Sequence, residues 1–176
     1  MSEHPRLDAG AILRSLVSAD VQFVLIGGFA SQVHGSPSLT QDVDICFALD
    51  RENLRRIAAV LGDLAAVRRD MPRDALALPI DDRALRAGDV FTLRTRFGDL
   101  DLLAHPDPGL DYEQLREHSI AAEILGIKVR VSSLDDLLSM KRAAGRPKDR
   151  IELEILGALR EELDQRGSLE DPLLDR

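Results

Sequence analysis

Asp42 and Asp44 stand two residues apart in a run where Val43, Ile45, Phe47 and Leu49 alternate with Asp42, Asp44, Cys46 and Ala48. Strict alternation predicts a half-buried strand over residues 42–49. A period of two then turns both carboxylates to one side, with their Cα atoms about 6.5 to 7 Å apart. Two carboxylates so placed resist joint ionisation unless a cation is shared between them. Mg²⁺ suits such a pair, because it prefers oxygen ligands and commonly takes only one or two carboxylates. Taken alone, the pair reads more readily as an edge strand whose aspartates face solvent.

Two other stretches add to it. Residues 21–26 form a short, almost wholly apolar run that ends in Gly27-Gly28. This reads as a buried strand and a tight turn where the backbone can come close to a ligand. A helix opening near residue 29 would aim free N–H groups at a phosphate, with the Ser31 hydroxyl beside them. Neither a dinucleotide fingerprint nor a Walker loop is present at that turn. The second stretch is Gly98-Asp99-Leu100-Asp101-Leu102-Leu103. Asp99 is expected in the turn after Phe97-Gly98, and Asp101 inside a strand, opposite Leu100 and Leu102. If that strand neighbours the one carrying Asp42 and Asp44, three carboxylates converge. Such a set serves two-metal displacement at phosphorus, in which Asp101 would accept the proton of an attacking hydroxyl.

Several elements must position these groups. Helical spacing predicts helices over residues 8–19, 29–34 and 52–64. Paired strands are expected over 90–96 and 99–103, and again over 120–125 and 127–131 around Gly126. Two helices follow, over 133–144 and 148–165, broken by Gly145-Arg146-Pro147. Residues 66–88 carry no clear pattern. The order predicts an α/β (α+β) architecture with a mixed sheet flanked by helices and a C-terminal helical pair. The expected divisions are a core over 1–132, a helical segment packed on it over 133–166, and a tail over 167–176.

Composition narrows the function classes. The 176 residues are 44% apolar and carry a net charge of −8, with the basic residues dispersed. Broad, salt-driven nucleic-acid binding needs a positive stripe, so it is disfavoured, although one RNA end entering a pocket remains compatible. The chain shows neither a membrane-spanning run nor a signal-peptide pattern, and Cys46 is the lone cysteine; a cytoplasmic location is expected. Cys46 reads as core filling. His34 reads as structural, and His4, His105 and His118 are too scattered for a zinc site.

Only three lysines occur, Lys128, Lys141 and Lys148. Lys141, on the helix over 133–144, is a point charge suited to a triphosphate, or else a cation near a helix C-terminus. Arg146 and Lys148 read as surface charges or contacts to an RNA acceptor, and Asp149 as a first-turn acid of its own helix.

In combination, the strand before Gly27-Gly28, the Asp-x-Asp and the later aspartate resemble the polymerase-β-like nucleotidyltransferase superfamily. Gly27-Gly28-Phe29-Ala30-Ser31, His34-Gly35-Ser36-Pro37, Thr40, Asp42-Val43-Asp44-Ile45, Gly98 to Leu103, and Met140 to Asp149 resemble the AbiEii/MenT-type toxin nucleotidyltransferases over about residues 20 to 160. The resemblance implies the nucleotidyltransferase fold and transfer of a nucleoside monophosphate from an NTP, with Mg²⁺ or Mn²⁺ and release of pyrophosphate. By position it implies metal binding by Asp42, Asp44 and Asp101. It also implies phosphate contacts by Gly27, Gly28 and Ser31, a triphosphate contact by Lys141, and a supporting role for Asp149. The 3′ end of tRNA is the implied acceptor, and an antitoxin protein the implied partner. Ser38 and Gln41 stand where such relatives often carry basic residues. Two other expectations stay open: modification of a small molecule such as an antibiotic, and a non-catalytic nucleotide-binding module.

Overall fold

A computed structural model describes residues 5–71 and 79–170, without the side chains of residues 148 and 167–170. The chain opens with helix α1 (Ala9–Ser18), capped by the Asp8 side chain on the Ala11 N–H. Strand β1 (Phe23–Ile26) is buried throughout and runs directly into helix α2 (Gly27–Val33). Strand β2 (Asp42–Phe47) follows, then helix α3 (Arg51–Asp63), capped by Asp50. The stretch without a sequence pattern contains the two-residue strand β3 (Val67–Arg68) and the short helix α4 (Asp82–Ala87), besides residues 72–78 outside the described set.

Strands β4 (Val90–Thr95) and β5 (Gly98–Leu103) form the expected hairpin. Helix α5 (Tyr112–His118) was not expected from the sequence. It is held by a capping box in which Asp111 and Gln114 each satisfy the other's backbone N–H. Strands β6 (Ile120–Ile124) and β7 (Ile127–Val131) make the second hairpin. Helix α6 (Leu134–Ala144) ends at Gly145 in the left-handed region, and Pro147 opens helix α7 (Pro147–Glu170). That glycine stop and proline start divide the two helices where the sequence implied.

Among the described residues the strands form one mixed sheet in the order β3-β4-β5-β2-β1-β7-β6. The chain therefore has the expected mixed α/β architecture flanked by helices. Strands β2 and β5 are parallel neighbours, as are β1 and β7, and the other pairs are antiparallel. Val43, Ile45 and Phe47 are fully buried, so β2 is anchored by its apolar side. Helices α1, α2 and α5 contact the central strands. Leu134, Leu137, Leu138 and Met140 of α6 and Leu156 of α7 join the same core.

Candidate active site

The pairing of β2 with β5 decides the geometry. Their register sets Asp42 opposite Asp99 and Asp44 opposite Asp101. Parallel neighbours in a sheet lie about 4.8 Å apart, and opposed residues share a face. One carboxylate oxygen each from Asp42, Asp44 and Asp101 lies within 4.8 Å of the other two. The three residues are half-buried and line a cleft of about 480 Å³. All-oxygen donors at this separation fit a hard divalent ion such as Mg²⁺.

Charge makes the same point. Burial first, then the charges of Asp42 and Asp101, push the Asp44 carboxyl up from 3.8 to about 7, with Lys141 and the Gly28 backbone N–H pulling against them. Burial also raises Asp101, opposed by the Arg69 guanidinium and helped by Asp42. The cluster is electrostatically frustrated without a cation, a condition that metal ligands share.

The glycine turn forms the next wall. Gly27 has φ of +66°, and a Cβ placed on it would lie 2.1 Å from Asp44 Oδ2. Glycine is thus required twice there, for the backbone conformation and for the approach to the carboxylate. A Cβ on Gly28 would meet Thr40 at 2.5 Å. Thr40 in turn donates its hydroxyl towards Asp42 Oδ1 at 3.1 Å, which links the loop before β2 to the first carboxylate. Gly27, Gly28 and Thr40 all line the cleft.

Ser31 takes a different place. It is fully buried, and its hydroxyl donates to the Gly27 carbonyl at 3.1 Å, so it braces the turn rather than lining the cleft. Asp99 also departs from expectation. It belongs to β5 rather than to the turn, on the side of Asp101, and pairs with Arg69 at 2.7 Å.

Lys141 of α6 also lines the cleft, with its Nζ 3.3 Å from Asp149 Oδ1. Asp149 is 1% exposed and does not line the cleft; it also accepts from Arg146 Nε at 2.7 Å and from the Arg146 backbone N–H at 3.2 Å. Burial alone would raise the Asp149 carboxyl, but Arg146 and Lys141 outweigh it and hold it below the usual carboxylate range. Asp149 therefore fixes the two cations that edge the cleft, and reaches any ligand only through them.

Glu152 was not foreseen. It is 9% exposed, lines the cleft, and accepts the hydroxyls of Ser36 at 2.9 Å and Ser38 at 2.6 Å. Those bonds tie the loop before β2 to α7. Nothing in a one-dimensional pattern pairs a serine with a glutamate more than a hundred residues away. His34 is structural, with Nε2 2.8 Å from the Ser132 carbonyl. Cys46 is buried, and burial pushes its thiol up to about 12, as suits a core residue.

No protein-family model matches the chain, and none of the curated proteins matches it significantly in sequence. Solved structures do match. Lincosamide antibiotic adenylyltransferase LnuA with lincomycin bound shares 16% identity at a TM-score of 0.56, over 86% of this chain and 95% of that one. An antigenic nucleotidyltransferase-like protein from Paracoccidioides brasiliensis shares 17% identity at 0.55, over 88% and 77%. ANT(2'')-Ia in complex with adenylyl-2''-tobramycin shares 18% identity at 0.51, over 90% and 95%. The fold is a nucleotidyltransferase fold. Among the described residues, no helix is long and apolar enough to cross a membrane.

Proposed function

We propose that the chain transfers a nucleoside monophosphate from an NTP to an acceptor hydroxyl. The observation that carries this reading is the meeting of three carboxylates from β2 and β5 beside a glycine turn and a lysine. Asp42, Asp44 and Asp101 would hold Mg²⁺, or Mn²⁺ in its place. Bound there, the metal supplies Lewis-acid polarisation of the phosphoryl oxygens and neutralises developing charge. Gly27 and Gly28 leave room for the triphosphate, and Lys141 supplies a positive charge to it. Asp101 accepts the proton of the acceptor hydroxyl as its oxygen bonds to the α-phosphorus. The bond from that phosphorus to the bridging oxygen breaks, and pyrophosphate leaves.

The motif resemblance supports an RNA 3′ end, such as that of tRNA, as acceptor, in a toxin-like enzyme that an antitoxin protein would restrain. One observation favours a second acceptor, a small hydroxylated cation. Four carboxylates (Asp42, Asp44, Asp101 and Glu152) line the cleft against two cations, Lys141 and Arg146, which both already pair with Asp149. Once a metal offsets the three aspartates and the NTP adds its own negative charge, such walls favour a cationic acceptor over a second polyanion.

The test is incubation of each labelled NTP and Mg²⁺ with pools of RNA, protein and small hydroxylated compounds, with Asp44→Ala as control. Label on a band of tRNA size supports the first acceptor, and label on small molecules alone the second. Undiminished transfer by Asp44→Ala would remove the mechanism.

A further inference from the structure

Arg69 follows β3 in the stretch that the sequence left unassigned, yet it reaches the carboxylate cluster. Its backbone N–H donates to the Thr92 carbonyl at 2.9 Å, which fixes its Cα beside β4. Thr92 is the β4 residue opposite Asp101. From there the side chain reaches β5, where Nη1 donates to Asp99 Oδ2 at 2.7 Å and Nη2 donates to Asp101 Oδ1. All three side chains are largely covered, at 24%, 26% and 16% exposure. On the far side Arg94, paired with Asp99 in the β4–β5 register, sets its Nε 3.7 Å from Asp99 Oδ1. Arginine and aspartate thus alternate away from the cluster, from Asp101 to Arg69, Asp99 and Arg94.

A surface ion pair with Asp99 would need neither this reach nor this burial. Arg69 Nε is buried without a hydrogen-bond partner, so the two Nη atoms on the two carboxylates are what hold the guanidinium. A rigid planar guanidinium with one Nη on each carboxylate fixes how far apart one oxygen of Asp99 and one of Asp101 lie, which a lysine ammonium cannot do in the same way. It also places a permanent positive charge beside a ligand intended for a divalent cation, which opposes metal binding.

Resting on the reading of Asp101 as the third carboxylate, we propose that Arg69 is a positioning residue of the reaction. It claims Oδ1 of Asp101 and so presents Oδ2 to the metal and the acceptor hydroxyl, at the expense of metal affinity. Asp99 shares the guanidinium and keeps it in place.

The experiment compares the full wild-type chain with Arg69→Gln, Arg69→Lys and Asp99→Asn. Mn²⁺ binding to the metal-free proteins is titrated by paramagnetic resonance, and kcat and KM for the NTP are measured with the acceptor found above. Thermal unfolding verifies that each variant is folded. Arg69→Gln should bind Mn²⁺ several-fold more tightly, because a positive charge next to the ligand is gone. Its kcat should fall about ten- to a hundredfold with KM nearly unchanged, the mark of a misplaced reacting group. Arg69→Lys should return Mn²⁺ affinity to the wild-type value without restoring kcat, and Asp99→Asn should show a smaller loss of kcat. Unchanged or weaker Mn²⁺ binding by Arg69→Gln would overturn the proposal, as would full recovery of kcat by Arg69→Lys or a loss confined to KM. If wild type transfers nucleotide to no acceptor, the reaction reading fails. The Mn²⁺ titrations of Arg69→Gln and Arg69→Lys then decide the Arg69 contact by themselves.

Discussion

Replacing Asp44 with asparagine should stabilise the metal-free protein at alkaline pH. The folded chain keeps the Asp44 proton to about pH 7, against 3.8 for the free side chain. Between those values the folded state binds more protons than the unfolded state, so stability is greatest below about pH 4 and falls as pH rises towards 7. Taken at about 1.4 kcal/mol per tenfold change in proton affinity, the full gap is roughly 4 kcal/mol by pH 8. Less than half of it is present at pH 5. For a protein of this size, 4 kcal/mol corresponds to about 8–16 °C in Tm. Asparagine keeps the shape of the side chain and carries no charge at either pH. The assay is thermal unfolding, followed by circular dichroism, of wild type and Asp44→Asn in chelator at pH 5 and pH 8. The variant should melt well above wild type at pH 8, and the difference should shrink by more than half at pH 5. Mg²⁺ added at pH 8 should raise the wild-type Tm and leave the variant nearly unmoved. No advantage at pH 8, or the same advantage at both values, would refute the claim that burial and like charge strain this carboxylate.

Gly27→Ala should abolish metal binding and transfer together, because its Cβ would lie 2.1 Å from Asp44 Oδ2 at a φ of +66°. Mn²⁺ titration and the transfer assay would show it, and normal values in both would contradict the structure of the turn. Lys141→Ala should raise the dissociation constant for NTP about tenfold with a smaller effect on kcat. Unchanged NTP affinity would mean that Lys141 serves only its pair with Asp149. Glu152→Ala leaves the Ser36 and Ser38 hydroxyls without their acceptor and should cost about 1–3 kcal/mol. Faster hydrogen exchange over residues 35–41 should accompany that loss, and an unchanged exchange pattern would deny that Glu152 holds this loop.

Much of the fold could be read in one dimension. The alternation through residues 42–49 located β2 and set Asp42 and Asp44 on the side opposite Val43 and Ile45, although the strand ends at Phe47 and Cys46, on the carboxylate side, is buried as well. Gly145 and Pro147 marked the break between α6 and α7 for equally local reasons, a left-handed stop and a preset φ. The misses were short elements. Helix α5 spans only Tyr112–His118, too few turns for a helical period to emerge, although Asp111 and Gln114 stand at capping-box spacing and could have signalled it. Strand β3 has two residues, and no periodicity exists over two residues.

The candidate site divides in the same way. That Asp42 and Asp44 share a face, and that Gly27-Gly28 ends a buried strand, follows from backbone geometry, which local sequence controls. That Asp101 meets them required β5 to lie parallel to β2 with Asp44 opposite Asp101, and strand order in a sheet is a property of the whole chain. Ser31 and Asp149 sit one layer behind the cleft, each buried against groups that line it, the Gly27 carbonyl for Ser31 and the Lys141 and Arg146 side chains for Asp149. Arg69 and Glu152 were invisible until packing brought them in. An isolated arginine or glutamate carries no pattern of its own, and its role depends on which charges the folded backbone sets beside it. The chemistry available to this chain was therefore written in residue types and short spacings, while the tertiary structure alone chose which of those groups meet, since contacts between distant segments form only on folding.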